Sequence, residues 1–242
     1  MSAEYTFSRA GLDDSLKALG KEFKKRNGKG AVAEIVLVGG AAVLLNYGFR
    51  GMTTDVDAVI RTNATMKDAV NKVGDDLGLP NNWLNTDFCR TSSYSDKLAE
   101  VSKHYKTFAN VLQVRTVYAE YLVAMKLMAG RRYKHDLSDI VGVLWEHWKS
   151  GDFISGKRIE KAVAVLYARP LPEKSKQFLN DVLNHGDYEG LYTKMREMEE
   201  QNKEILPVFQ EGYPGMLNES NIDDVLNQAR KKKETIRKQT SE

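Results

Sequence analysis

The feature that most constrains this chain is the stretch from Val36 to Ile60, where a glycine pair separates two apolar runs. The first run, residues 33–38, is rich in branched side chains and predicts a buried strand. The glycine pair ends it, and residues 41–47 predict a helix. The second run, residues 55–60, alternates in polarity and predicts another strand. This order of strand, bend, helix and strand predicts a core that combines helices with a sheet.

Both halves of this stretch suit a phosphate-bearing ligand and a metal ion. Gly39 and Gly40 let the backbone approach a ligand closely, and the free amides of the following helix favour a phosphate. Asp55 and Asp57 lie two residues apart on a predicted strand, so both carboxylates face the same side. Adjacent carboxylates repel each other unless a cation lies between them. Their hard oxygens suit Mg²⁺, with Mn²⁺ as the alternative.

Each half also has a simpler interpretation. Two glycines are commonly only a turn, and Asp-x-Asp on a strand is commonly part of a solvated face. In this order the two halves together are more specific. They predict a metal-assisted phosphoryl transfer, in which the metal ions hold the attacking and leaving oxygens.

A second cluster of charges follows in the chain. Lys126 lies in an apolar segment, and Asp136 begins the next predicted helix. Arg131, Arg132 and Lys134 lie between them and make the connecting loop strongly cationic. Beside a metal–triphosphate site, such a loop would neutralise charge that develops in the transition state. The simpler interpretations are that Lys126 extends its amine to solvent and that Asp136 caps its helix.

The remaining sequence predicts an α+β fold, with a small mixed-sheet core followed by a helical C-terminal portion. Further helices are predicted from apolar spacing at 12–27, 66–77, 118–129, 137–148, 157–167 and 173–183. Residues 81–105 are polar and irregular, and residues 108–117 predict one or two strands. We expect three segments: an α/β core over 1–117, a helical portion over 118–190 that completes the site, and a helical or flexible tail over 191–242.

Composition narrows the class of protein. The net charge is 36 − 33 = +3 and the pI is about 8.7, which permits contact with nucleic acid without arguing for it. The single cysteine, Cys89, excludes an intramolecular disulfide framework and a cysteine-based zinc site. Apolar runs are too short to span a membrane, and the first residues lack a signal-peptide pattern. We therefore expect a soluble cytoplasmic protein with no membrane partner.

The motifs resemble a known family. VGG followed by TTDVDAVI resembles the nucleotidyltransferase signature of the polymerase-beta-like superfamily. The wording Arg50-x-x-Thr-x-Asp-x-Asp and the later LVAMKLMAGRRYKHDLSDIVGVL are similar to one branch of it, which holds the AbiEii-type and MenT-type toxins of toxin–antitoxin systems. The similarity covers about residues 30–150.

The resemblance implies an enzyme that moves a nucleoside monophosphate from an NTP such as ATP to a tRNA or protein acceptor, with Mg²⁺ as cofactor. It also implies the role of a toxin countered by an antitoxin protein. The residues that match the family's motifs are Asp55 and Asp57 as metal ligands, Gly39, Gly40, Thr54 and Lys126 as nucleotide-binding residues, and Asp136 as an assisting acid. The resemblance also implies that Arg131 or Arg132 lies near the nucleotide phosphates, without a close motif match.

Two departures from the family pattern leave alternatives open. The spacer from Gly40 to Asp55 is slightly long, and the strand candidate at residues 110–117 lacks the third carboxylate of many superfamily members. The toxin branch shares that lack, but it also fits a catalytically inactive module that binds a nucleotide or a partner. A further alternative is an RNA-binding protein that uses its basic end, namely Arg230 to Lys233 with Arg237 and Lys238.

Overall fold

The computed structural model describes residues 5–61, 65–213, 216, 221–222 and 224–229, which build a sheet with helices on both faces. The strands are β1 (Phe7–Ser8), β2 (Ala33–Leu37), β3 (Met52–Thr53), β4 (Val56–Arg61), β5 (Leu84–Asn85), β6 (Ser102–Phe108) and β7 (Leu112–Val117). The α-helices are α1 (Arg9–Asn27), α2 (Gly39–Asn46), α3 (Thr65–Leu77), α4 (Ala119–Ala129), α5 (Asp136–Lys149), α6 (Gly156–Leu166), α7 (Glu173–Asn184) and α8 (Tyr188–Gly212).

The main sheet has five strands in the order β5-β4-β2-β7-β6. β2 runs antiparallel to β4 and parallel to β7, so the sheet is mixed. β5 is parallel to β4, and β6 forms a hairpin with β7. The short strands β1 and β3 pair separately. This arrangement, with its helical C-terminal part, confirms the predicted α+β class.

The sheet separates two apolar cores, and β2 contributes to both. Ile35 and Leu37 of β2 pack into the core formed with α1 and α3, whereas Val36 faces the core formed with the C-terminal helices. All three side chains are fully buried. A strand that is covered on both faces is expected to be apolar throughout rather than alternating. Apart from Glu34, the run at residues 33–38 is apolar, and this follows from the central position of β2.

Every helix predicted from apolar spacing is present, with ends that differ by a few residues. The run at 108–117 is part of a hairpin, because β6 already begins at Ser102. The prediction that residues 81–105 are irregular was therefore wrong for residues 102–105, which belong to β6. Polar side chains on the exposed edge strand β6 hid its pattern. The segment also contains β5 and two 3-10 turns, Asp87–Arg90 and Asp96–Ala99.

The C-terminal part contains one long helix, α8, where the sequence predicted helical or loose structure. The expected segment boundary at 117/118 falls at the junction of β7 and α4, and the one at 190/191 falls inside α8. The basic end, from Arg230 onward, lies outside the described residues. Among the helices that are described, none is long and apolar enough to cross a membrane.

Candidate active site

The glycine bend lies against Asp57. Gly39 begins α2 directly after the β2 strand, and its φ of +55° falls in the left-handed region that only glycine adopts at little cost. A Cβ added there would lie 3.6 Å from Oδ2 of Asp57. β4, which pairs with β2, carries Asp57 to this place. The structure therefore brings together the bend and one of the two predicted metal ligands.

Asp55 and Asp57 differ in their surroundings. Asp55 precedes β4, and its side chain is 53% exposed, with one oxygen 3.3 Å from Nζ of Lys134. Asp57 is half-buried on β4. Burial raises the pKa of Asp57 and the negative charge of Asp55 raises it further, whereas Lys134 and Arg131 lower it by less. The two carboxylates are thus close enough to repel each other, and this repulsion adds to the effect of burial on Asp57.

The second glycine, Gly40, is required by close packing, because its neighbours leave no room for a side chain. A Cβ at Gly40 would lie 2.5 Å from Oγ1 of Thr53 and 2.9 Å from Nη2 of Arg50. Arg50 donates to the carboxylate of Asp139, and Oγ1 of Thr53 donates to the backbone oxygen of Asp55 at 3.1 Å. The absence of a side chain at Gly40 makes room for Arg50 and Thr53. Through these two residues, the chain before Asp55 is connected to Asp139 on α5.

Lys126 is at the centre of a buried cluster of charges. Its side chain is only 7% exposed, and its Nζ lies 3.0 Å from Oδ1 of Asp136 and 2.8 Å from Oδ2 of Asp139. Burial alone would lower the pKa of Lys126, but Asp139 and Asp136 outweigh burial and raise it. Arg131 also binds Asp136, with Nε 2.8 Å from Oδ2. The two aspartates share the first turn of α5, and each holds a cation from another element.

Asp136 is strongly stabilised as a carboxylate. Burial would raise its pKa, but the positive charges of Lys126 and Arg131 outweigh burial and lower the pKa from 3.8 to about 2. The N-cap of α5 is His135, and Asp136 lies inside the helix. The simpler interpretation of Asp136 as a helix cap is therefore wrong, because its oxygens accept from side chains of two cations.

The buried position of Lys126 also contradicts the simpler interpretation that its amine extends to solvent. Helix α4 is buried on nearly all sides, so a lysine there needs carboxylate partners. Its predicted contact with nucleotide phosphates stays a prediction, since in this structure the amine is bonded to Asp136 and Asp139. Lys126 lies within one salt-bridge network with Arg131, whose own charge acts on Asp57.

Arg131 and Lys134 are the cations that face the acidic pair at the surface. The Arg131 side chain is 37% exposed, and Lys134 is about half exposed. Both charges act on Asp57. Asp136 holds Arg131 through two hydrogen bonds, so its guanidinium is oriented as well as charged. Thr54 is half-buried in the bend between β3 and β4, and its predicted contact with the nucleotide stays a prediction.

The 3-10 turn Asp87–Arg90 forms another side of the site. Burial raises the pKa of the Cys89 thiol, and the charge of Asp57 raises it further. The charge of Asp87 also acts on Asp57. This turn packs near β4 from the segment that the sequence left unassigned. A thiol that stays protonated is uncharged and a poor nucleophile, so Cys89 lines the site without acting as a nucleophile.

Sequence reasoning gave no individual role to three residues of this network, namely Arg50, Thr53 and Asp139, although Arg50 and Thr53 belong to the motif Arg50-x-x-Thr-x-Asp-x-Asp. Asp139 lies three residues after Asp136 on a predicted helix, so both face the same side. That spacing beside a lone lysine in an apolar helix was the available signal. Thr53, rather than Thr54, makes the hydrogen bond that fixes Asp55.

The donor set of the site consists of two carboxylates. On the face that β4 shares with β2 and β7, β7 presents Arg115 and Val117, so it offers no third acid there. In the described part of the chain, no group of three or more histidine, cysteine, aspartate or glutamate side chains could hold a metal ion. Two carboxylates still fit Mg²⁺, which typically binds through one or two of them together with substrate phosphates.

Comparison with known proteins gives one finding. A family model described as a nucleotidyltransferase of unknown function (DUF6036) matches residues 14–145, more than half of the 242 residues. The matched segment contains the glycine bend and all four aspartates of the site. No curated protein and no solved structure matches the chain.

Proposed function

Because the chain belongs to this family of nucleotidyltransferases of unknown function, we propose that it transfers a nucleoside monophosphate from an NTP to an RNA acceptor. The observation that carries the proposal is the acidic pair Asp55 and Asp57. Asp57 lies against the Gly39 bend, and burial together with the charge of Asp55 raises its pKa despite Lys134 and Arg131 nearby. A divalent cation with a triphosphate would complete the charges of such a site.

Asp55 and Asp57 would hold Mg²⁺, or Mn²⁺ in its place. When bound, the metal neutralises the triphosphate and makes the acceptor hydroxyl more acidic. Its affinity depends on ionised carboxylates, so the raised pKa of Asp57 makes binding weaken as the pH falls.

The residues of this chain then have distinct roles. The amides at the start of α2, from Gly39 and Gly40, face the phosphates, and Arg131 and Lys134 offset their negative charge. The acceptor oxygen forms a bond to the α-phosphorus while the bond to the bridging oxygen breaks, so that pyrophosphate leaves. The carboxylate of Asp57 accepts the proton of the acceptor hydroxyl.

An RNA acceptor is supported by the cations of the loop before α5. Arg131, Arg132 and Lys134 lie within four residues, and Arg131 and Lys134 act on the acidic pair. Such a loop attracts the phosphates of a nucleic acid as well as those of an NTP. The AbiEii/MenT-type resemblance adds the cellular role, in which modification of a tRNA arrests growth until an antitoxin binds the enzyme.

The test is incubation of the protein with each α-labelled NTP, Mg²⁺ or Mn²⁺, and total RNA or RNA-free lysate protein. We expect label on RNA with the wild type, and loss of at least about a thousand-fold with Asp57→Ala, because both the metal site and the proton acceptor are removed. Asp68→Ala, an exposed aspartate on α3, is the matched control and retains transfer.

Each other outcome contradicts part of the proposal. Label on protein alone overturns the RNA acceptor. NTP binding that needs Mg²⁺ and both aspartates, without any product, identifies an inactive nucleotide-binding module, for which the missing third carboxylate is the argument. Absence of both binding and transfer overturns the whole proposal.

A further inference from the structure

Helix α8 supplies a buried carboxylate to the start of α5. Glu199 is 1% exposed, and its Oε1 accepts hydrogen bonds from the backbone amides of Leu137 at 2.8 Å and Ser138 at 3.2 Å. These residues follow Asp136 in the first turn of α5. Glu199 lies 54 residues beyond the end of the segment that matches the family at residue 145.

The start of α5 needs such a partner. The first amides of a helix have no acceptor within the helix, and among the described residues the side chain of the N-cap residue, His135, accepts none of them. A carboxylate at this place satisfies the amides and interacts favourably with the positive end of the helix dipole. Glu199 therefore performs from α8 the capping that the local sequence of α5 does not provide.

The same face of α8 also holds the cationic loop. Asn202, three residues after Glu199, is fully buried, and its Nδ2 donates to the backbone oxygen of Arg132 at 2.5 Å. Nδ1 of His135 lies 3.5 Å from Oε2 of Glu199. One side of α8 thus contacts the chain both before and within the first turn of α5.

This contact is unusually polar for a helix interface. The buried side-chain atoms that lack a hydrogen-bond partner within the described residues all belong to it: His135 Nδ1, Ser138 Oγ, Glu199 Oε2 and Asn202 Oδ1. Buried polar atoms in native proteins are nearly always paired, so such a concentration needs an explanation beyond stability. Apolar residues of similar size would pack α8 against α5 without leaving these atoms unpaired.

We infer that Glu199 is a positioning residue of the candidate active site, and that α8 is part of the catalytic unit. Glu199 fixes the first turn of α5, and that turn places Asp136 and Asp139. Asp136 orients Arg131 toward the acidic pair, while Asp139 holds Arg50, which contacts Thr53 before Asp55. The inference rests on the proposed function, because it concerns the reactive geometry of that site.

The test compares Glu199→Ala, Glu199→Gln and the control Glu197→Ala, which removes an exposed carboxylate from the same helix. Hydrogen exchange of the Leu137 and Ser138 amides reports capping, and label transfer gives kcat and the KM for the NTP. Glu199→Ala is expected to expose both amides and to lower kcat by about ten- to a hundred-fold, as loss of a supporting partner does. KM should change less than about three-fold, because the cations remain but lose their reactive orientation.

Glutamine retains an acceptor oxygen, so Glu199→Gln should recover both the amide protection and most of kcat. Faster exchange with unchanged kcat in Glu199→Ala overturns the inference and leaves Glu199 a structural cap. If Glu199→Ala does not fold, label transfer is measured on Asn202→Ala instead. An unchanged kcat in Asn202→Ala also overturns the inference. A wild-type protein without transfer overturns the proposed function together with this inference, whereas active wild type with an equally active Glu199→Ala overturns this inference alone.

Discussion

Two pairs of aspartates lie near each other in this protein, and they are treated in opposite ways. Asp136 and Asp139 are buried and bind Lys126, Arg131 and Arg50. Asp55 and Asp57 are partly exposed, and Lys134 and Arg131 do not outweigh the effects of burial and of Asp55 on Asp57. The pKa of Asp136 is lowered as a result, whereas that of Asp57 is raised.

The difference separates residues that hold the fold from residues that await a ligand. A carboxylate whose cations are built into the chain contributes to the folded state on its own. A carboxylate whose burial is not offset by its cations, such as Asp57, costs folding free energy, and such a cost is common at functional sites. Substitutions in the two pairs should therefore act in opposite directions on stability.

The largest effect on stability is expected for Asp139→Ala. The change leaves Lys126 and Arg50 buried without one carboxylate, and breaking a buried pair in this way costs about 3–5 kcal/mol. Urea unfolding at neutral pH measures it. Asp68→Ala, an exposed change on α3, should stay within about 0.5 kcal/mol of the wild type. A loss below about 1 kcal/mol for Asp139→Ala would remove the contrast between the pairs.

The second-largest effect on stability is expected when the pH is lowered and Asp136 becomes protonated. Its pKa is lower in the folded chain, so the unfolded chain binds the proton more tightly, and the stabilising contribution is present above about pH 4 and disappears as the pH falls toward 2. The contribution is about 2 kcal/mol. Urea unfolding of the wild type and Asp136→Asn at several pH values measures the difference, which should shrink across this window. A constant difference between the two proteins contradicts the prediction.

Gly40→Ala tests the connection between the two pairs. The added Cβ meets Thr53 and Arg50, which link the chain before Asp55 to Asp139, so a cost of about 1–3 kcal/mol is expected. Gly51→Ala is the matched control, since an added Cβ there meets no heavy atom of the described residues within 4 Å. Thermal unfolding of both variants gives the comparison. Equal effects at the two glycines argue that the contact does not constrain Gly40.

The smallest effect, and one of opposite sign, is expected for Asp57→Asn. A carboxyl with a raised folded-state pKa destabilises the fold as the pH rises above its ordinary value of 3.8, and the effect is complete above the raised pKa. Its replacement by a neutral amide should therefore raise the melting temperature at neutral pH. Calorimetry measures this shift. Added Mg²⁺ should stabilise the wild type more than the variant. A lower melting temperature for Asp57→Asn shows that the acidic pair has structural partners of its own.

The helices, the strands β2 and β4 and the acidic pair follow from short-range patterns, whereas β5 and the start of β6 do not. The apolar run at residues 33–38 and the Asp-x-Asp spacing are local, and local patterns predict which elements form. Local patterns do not reveal which distant side chains come into contact in the folded chain. The sequence identified Lys126 as chemically important, but its burial between Asp136 and Asp139 depends on how α4 packs against α5.

Long-range contacts explain what the sequence could not predict. Nothing near Glu199 in the chain indicates that it caps a helix 62 positions away. The turn Asp87–Arg90 lies in a polar segment without periodicity, so only the folded chain brings Cys89 near Asp57. The role of Gly40 likewise depends on Arg50, ten residues later in the chain, whose side chain leaves no room for a Cβ at Gly40.

The position of α5 has a practical consequence for anyone who wishes to produce this protein in shortened form. The family match stops at residue 145, four residues before α5 ends, and omits α6, α7 and α8. An expressed fragment cut there would present the apolar surface of α4 to water and would leave the Leu137 and Ser138 amides without Glu199. We expect such a fragment to aggregate, so similarity alone is a poor guide to where this protein should be truncated.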